Sequence, residues 1–520
     1  MEYEKQAFQM YRQGKTVLDQ FYMDEDYNVP DAKSDVKRVI LSEGSVRVEE
    51  LKLAESYVQV RGNLKFAILY AADEETGGLS SMEGTLPFEE MVYMEEAPLE
   101  DLFLLGAQTE LTVTAVNSRK LNIHAVIELQ VCSEGREEIE LTKDVEGGEP
   151  LYKRYQKQQI LKLFTVRRDT CRIREEVGIG SMRESIGELV WTDLGSRKLD
   201  TRVGTDEILL QGELLLFCFY ESPEGKTDWI EQVIPYEGRI ECPGALDSMY
   251  HQIYPELKDV RVEARMDEDG EMRLLGVEAV MEVRVILYEE EETEILHDLY
   301  SLGQNCRIER RQTALCRLLM QNHSKCKVAE HLSLPEIKED ILQICHSSGR
   351  IQLESIRPEP EGLSVEGVLH VSFLYVKADD MLPFNVWQGM VPFSYLLECG
   401  GIRQDTDSHL TFGVEQLAVG LLGNGEVEVK AVLAFNSFLE EPLSVENIQE
   451  VEMEEADPLE LSNRPGLVGC VIREGDDLWG LAKRYHATVE GIRRLNGLEE
   501  DPPVKLGEKL LIFKENTSIL

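Results

Sequence analysis

The chain holds 98 Asp and Glu, 9 His and 10 Cys. These are the side chains of acid–base, metal and thiol chemistry. Their spacing assembles none of it. No P-loop, HExxH or GxSxG pattern occurs. The histidines are dispersed, and the cysteines form no CxxC pair and no metal-ligand cluster. Among so many carboxylates a pair can meet by accident, so spacing gives no case for a glycoside-cleaving dyad. A binding protein, not an enzyme, is therefore expected, without cofactor or metal. The densest short pattern is CVIREGDDLWGLAKRYHATVEGIRRLNG, Cys470 to Gly497, where two carboxylates, Asp476 and Asp477, stand between Gly475 and Leu478-Trp479.

The elements that must position this stretch are readable. Val468–Ile472 is a short apolar strand, and Gly475 permits a turn. Asp476 or Asp477 can cap a helix carrying Leu478, Trp479, Leu481, Ala482 and Tyr485. Thr488 can cap a second helix with Val489, Ile492 and Leu495, ended by Asn496-Gly497. Lys509–Phe513 supplies a second strand after a loop with Pro502-Pro503. The helical spacing of Trp479 favours a core or half-core role over an exposed stacking platform. The prediction is a βααβ module at 466–513, reached by a linker at 456–465.

A longer pattern precedes it. YVQVRGNLKFAILY (57–70), EILLQGELLLFCFY (207–220) and GLSVEGVLHVSFLY (362–375) each carry a Gly eight residues before a Tyr. The Gly positions, 62, 212 and 367, are 150 and 155 residues apart. A Pro-aromatic pair follows each time: Pro87-Phe88, Pro235-Tyr236 and Pro392-Phe393. Upstream, helix-like spacings recur at Val36/Val39/Ile40, Ile186/Leu189/Val190 and Ile341/Ile344/Cys345. Downstream, Asp269-Gly270 and Asn424-Gly425 mark hairpins; Arg119-Lys120 stands there in the first copy, so that turn must differ. The period is too long for a solenoid. Three homologous domains are expected, at 1–148, 149–304 and 305–455, each with a short helix and many strands. The fold class is α+β, mostly β: three tandem sandwich-like repeats and one small βααβ module. The Gly and Tyr landmarks read as architecture, with the tyrosine hydroxyls at the surface.

Composition narrows the partners. A chain of 520 residues with 42% apolar content folds as several domains. The net charge is −44, and residues 466–513, with 7 Lys/Arg and 8 Asp/Glu, contribute only −1 of it. Such a field repels phosphate backbones and anionic lipid, so nucleic acid and bare membrane are excluded as partners. No run of 18 apolar residues and no apolar leader occurs. The scattered cysteines read as reduced thiols of a cytosolic protein. The basic, helix-prone segments 151–168 and 306–321 are expected to dock on acidic surfaces of the same chain. The acidic runs 288–294 and 450–460 read as solvated loops.

The C-terminal stretch resembles the LysM domain. Ile472, Gly475, Asp476, Leu478, Trp479, Ala482, Tyr485, Val489, Leu495, Asn496, Gly507 and Leu510 keep that family's order and spacing. The resemblance implies recognition of N-acetylglucosamine glycans such as peptidoglycan. It places the groove at Gly475, Asp476, Asp477 and Leu478, with Asn496, Gly497 and Leu498 opposite. Two positions depart from the pattern: Cys470 replaces an aromatic, and Asp477 replaces a Thr whose hydroxyl and methyl suit a sugar edge.

Acidic tandem repeats before a terminal LysM are similar to bacterial spore-envelope proteins built from SPOCS domains; the residues around Gly62, Gly212 and Gly367 carry that likeness. The resemblance implies a spore coat morphogenesis scaffold, made in the mother cell cytoplasm and acting at the forespore surface. The implied partner is the coat basement-layer ATPase or another coat protein. The alternative is a wall protein gripping peptidoglycan through LysM.

Overall fold

The computed structural model describes all residues except 74–77, 96–98, 149, 181, 339–340, 380–381, 456–465, 499–504 and 515–520. The expected linker at 456–465 lies outside the described residues.

Alternating apolar and polar residues make strands nearly everywhere. The first unit comprises β1 (Glu2–Gln13), β2 (Val17–Asn28), β3 (Val36–Ala54), β4 (Tyr57–Ala72), β5 (Leu79–Tyr93), β6 (Asp101–Asn117) and β7 (Lys120–Glu146). The second comprises β8 (Leu151–Gly178), β9 (Glu188–Val203), β10 (Glu207–Glu221), β11 (Thr227–Glu241), β12 (Tyr250–Met266) and β13 (Met272–Ser301). The third comprises β14 (Gln304–Ser333), β15 (Ile341–Glu359), β16 (Gly362–Lys377), β17 (Phe384–Glu398), β18 (Asp407–Gly423) and β19 (Glu426–Glu455). Each unit packs one sheet, β3-β4-β5, β9-β10-β11 or β15-β16-β17, against another centred on β7, β13 or β19. These are antiparallel β-sandwiches with alternating inward side chains.

The expected short helices are strands. Val36/Val39/Ile40 and Ile341/Ile344/Cys345 lie at the beginnings of β3 and β15, and Leu189/Val190 at that of β9, with Ile186 just before the strand. A register shift there explains the false period: pairing slips between Val36/Arg38 and Val39/Leu41 in β3, and between Ile341/Gln343 and Ile344/His346 in β15. A bulge inserts one extra residue and turns a period of two into a local three. The basic segments 151–168 and 306–321 belong to β8 and β14 and are not helical. The acidic run 288–294 is no loop either. It is strand β13, paired with the basic half of β8, Glu289 opposite Lys162 and Glu294 opposite Lys157. Lys162 bonds Glu291 at 2.7 Å and Glu289 at 3.1 Å.

The Gly and Pro-aromatic landmarks are cross-strand partners. Gly62 faces Phe88, Gly212 faces Tyr236 and Gly367 faces Phe393. A Cβ on Gly212 would stand 2.5 Å from the Tyr236 hydroxyl, and one on Gly62 would stand 2.7 Å from the Phe88 ring. The aromatic lies over the glycine in each repeat, which fixes register. The landmark tyrosines do not place their hydroxyls at the surface. Tyr70, Tyr220 and Tyr375 are at most 2% exposed. Tyr70 and Tyr220 donate to the Ser34 and Glu184 carbonyls, at 3.2 and 3.4 Å.

Two zones join the units. At one end Leu41, Leu69, Val190, Trp191, Phe217, Cys345 and Leu374 form a core drawn from all three. At the other, the overlong strands β7, β8, β13, β14 and β19 leave their sandwiches, and Phe8, Ile139, Ile160, Ile295, Leu315 and Val445 pack together. Burying each such side chain contributes about 1.5–3 kcal/mol.

Candidate functional site

The C-terminal module is built from β20 (Leu467–Val471), α1 (Leu478–Tyr485), α2 (Val489–Asn496) and β21 (Lys509–Phe513). β20 and β21 pair antiparallel from Leu467–Phe513 to Val471–Lys509. Asp477 is the N-cap of α1, accepting from Gly480 N at 2.8 Å, and Thr488 caps α2, accepting from Gly491 N at 2.9 Å. His486 ends α1 at φ 51° and Gly497 ends α2 at φ 64°. Ile472, Leu478, Leu481, Ala482, Ile492, Leu510 and Ile512 form the core.

The candidate groove residues divide by role. Gly475 and Gly497 are exposed with open space around them, and Leu498 is half-buried. Leu478 is 7% exposed and belongs to the core. Asn496 is fully engaged: its amide donates to the Ile492 and Leu511 carbonyls and its oxygen accepts from Leu511 N at 2.7 Å. That clamps α2 to β21. Asp476 accepts from Arg473 N at 2.9 Å and lies 3.4 Å from Arg484, so it shapes the turn instead of capping the helix.

The module is docked. Trp479 Nε1 donates to Asp298 at 2.8 Å, and its ring meets Tyr300 edge-on at 5.0 Å. Lys483 bonds the same carboxylate at 2.6 Å, as does Arg310 of β14 at 2.7 Å. Burial alone would raise the Asp298 carboxyl; Lys483, Trp479 and Arg310 outweigh it and hold the group below its usual range. Tyr300 donates to the Ala487 carbonyl at 2.9 Å, and Arg154 of β8 bonds Asp477 at 2.8 Å. Trp479 thus has the half-core role expected, but the core it joins belongs to a junction.

The family comparisons agree with this geometry. The SipL, SPOCS domain model matches residues 35–121, 185–265 and 340–422, and the LysM domain model matches 470–513. The chain is a SPOCS plus LysM protein. No curated protein and no solved structure matches it significantly. Each SPOCS match spans four strands, β3–β6, β9–β12 and β15–β18. The long strands β8, β13, β14 and β19 that knit the units together lie outside the matches. SPOCS and LysM are families of non-catalytic binding domains, and their combination fits a sporulation coat protein with a glycan-binding type of module.

The docking residues escaped sequence reading. The repeat gave no signal for Asp298: it follows the same strand bulge as Asp144 and Glu450, so an acidic residue stands there in all three units. All ten cysteines are free thiols. Burial pushes Cys218 and Cys345 up to about 12, which makes them unreactive core residues. Among the described residues, no group of three or more His, Cys, Asp or Glu is placed to hold a metal ion. None of the described helices is long and apolar enough to cross a membrane.

Proposed function

We propose that the chain is a non-enzymatic spore coat morphogenesis scaffold whose LysM domain docks protein, in the mother cell at the forespore surface. The observation that carries this reading is Asp477. It stands where the family's groove begins, and Arg154 of the second unit bonds it at 2.8 Å. One lip of that groove is therefore continuous with the repeat surface, a composite face suited to a protein partner. The partner is the coat basement-layer ATPase or another coat protein. The proposed division into 1–148, 149–304, 305–455 and 466–513 follows strand pairing that closes within each unit.

A second reading, peptidoglycan binding through Gly475, Asp476, Asp477, Leu478, Asn496, Gly497 and Leu498, draws support from the open space at Gly475 and Gly497. One experiment separates the two. The full chain and its Asp477→Arg variant are tested against insoluble peptidoglycan and against the purified ATPase. The scaffold reading expects ATPase binding that Asp477→Arg weakens at least tenfold. Sedimentation with peptidoglycan without ATPase binding would decide for the wall protein.

A further inference from the structure

A cavity of about 440 Å³ lies between the second and third units, walled by β9 and β12 on one side and β14, β18 and β19 on the other. Its volume falls within the range of small-molecule sites, about 300–1,000 Å³. A central cavity of about 1120 Å³, lined by all three units, shares His323, His409, Thr411 and Asn436 with it.

The lining is polar without interior charge. Three of the chain's 9 histidines, His251, His323 and His409, face the cavity. Burial holds His251 down to about 4 and lowers His409, so both rings are neutral at neutral pH, each with one donor and one acceptor. His251 is engaged at both ring nitrogens, Nε2 2.7 Å from the Thr201 hydroxyl and Nδ1 3.3 Å from the Gln321 amide, and His323 pairs with Asn436. Tyr254 and Phe438 add aromatic surface. The charged lining residues Asp200, Arg202 and Asp247 are exposed at the rim, and Asp200 pairs with Arg202 at 3.2 Å. The interior charges nearest the lining are already partnered: Arg284, 5.1 Å over the Tyr254 ring, is paired with Glu134, and Glu440, 3.9 Å from His409, accepts from Gln252 at 3.2 Å. A neutral ligand rich in hydroxyls finds amides, imidazoles, hydroxyls and ring faces together.

These residues are not part of the repeated architecture. Pairing against the central strands sets His251 level with Leu102 and Ser408, His409 with Gln252 and Phe103, and His323 with Arg168 and Leu18. Residues the sandwich needs recur, as Gly62, Gly212 and Gly367 do. The three histidines occur at this junction without counterparts in the other repeats.

We propose that this cavity binds a small neutral saccharide, its hydroxyls held by His323, His409, Thr411 and Asn436 and its ring face by Tyr254. The site is distinct from the LysM groove and does not depend on how that groove is used.

The test uses the full chain with ¹³C-labelled histidine, titrated with N-acetylglucosamine, with glucose and with glucuronate as the charged comparison. The ring signals of His251, His323 and His409 are expected to move together and saturate with a neutral sugar, with glucuronate at least tenfold weaker. Thr411→Phe, which fills the cavity, should weaken binding at least tenfold. If that variant does not fold, His323→Leu at an exposed position should produce the same weakening. Movement of His486 alone would place the sugar on the LysM domain and overturn the proposal. So would no movement of the three cavity histidines, or equal affinity for glucuronate.

Discussion

Glu134 and Arg284 stand 150 residues apart and meet as a sealed ion pair between the first and second units. Arg284 also donates to the Tyr11 hydroxyl at 2.7 Å and lies 3.9 Å over the Phe103 ring. Burial alone would raise the Glu134 carboxyl; Arg284, Tyr11 and Arg168 outweigh it and hold it below its usual range.

Removing one partner leaves a buried charge. Arg284→Ala should cost about 3–5 kcal/mol, whereas Glu134→Leu with Arg284→Met should cost less than that single change. Denaturant midpoints of wild type and the two variants check this. A double variant as unstable as Arg284→Ala would contradict it. Because Glu134 is depressed in the fold, its contribution is present above the unfolded carboxylate value and is lost as pH falls through the folded one.

His346 reverses that sign. It lies 3.0 Å from Asp193 and 3.4 Å from Glu231, stacks on Phe217, and shares the field of Glu43. Burial alone would lower it, but the two carboxylates outweigh burial and raise it to about 9. Its stabilisation is complete below the unfolded value of about 6.5 and disappears as pH rises through about 9. The size is on the order of 3 kcal/mol. Wild type should lose stability between pH 7 and 10 relative to His346→Gln. Parallel stability curves for the two proteins would refute the assignment.

The glycine–aromatic pair offers a packing test. Gly212→Val sets a branched side chain against Tyr236, already 2.5 Å from a bare Cβ, and should cost about 1–3 kcal/mol. Gly420→Ala, with nothing within 4 Å, should change stability by less than about 0.5 kcal/mol. Thermal melting of both variants distinguishes the glycine that packing requires from the one it does not.

Residues that do the same job three times were legible in the sequence. Gly62, Gly212, Gly367 and their Pro-aromatic partners recur, and the LysM caps Asp477 and Thr488 stand beside apolar residues at helical spacing. The strand starts were not legible, because bulges near Val36 and Ile341 mimic a helical period. Nor was the pairing of Glu289–Glu294 with Lys157–Lys162, since strand partners more than 120 residues apart leave no local trace. The site was half legible. The turns at Gly475 and Gly497 stand where the spacing put them, but Arg154 and Asp298 reach the LysM domain from the second unit, and no spacing rule connects them.

Asp298 ties three parts of the chain, taking bonds from Trp479 and Lys483 of the LysM domain and Arg310 of the third unit. Asp298→Ala should therefore free the LysM domain without unfolding the sandwiches. Trp479, half-buried against Tyr300, would enter water, so tryptophan emission should shift to the red while the β-sheet signal in far-ultraviolet dichroism stays constant. Protease cleavage near residues 456–465 should quicken at least tenfold. Trp479→Ala should free the domain too, because it removes both the ring contact and one hydrogen bond. Asp298 is held below its usual range, so the wild-type junction should open as pH falls through that depressed value and stay closed above it. Unchanged emission and cleavage in both variants would show that the Arg154–Asp477 and Tyr300–Ala487 bonds suffice to hold the LysM domain in place.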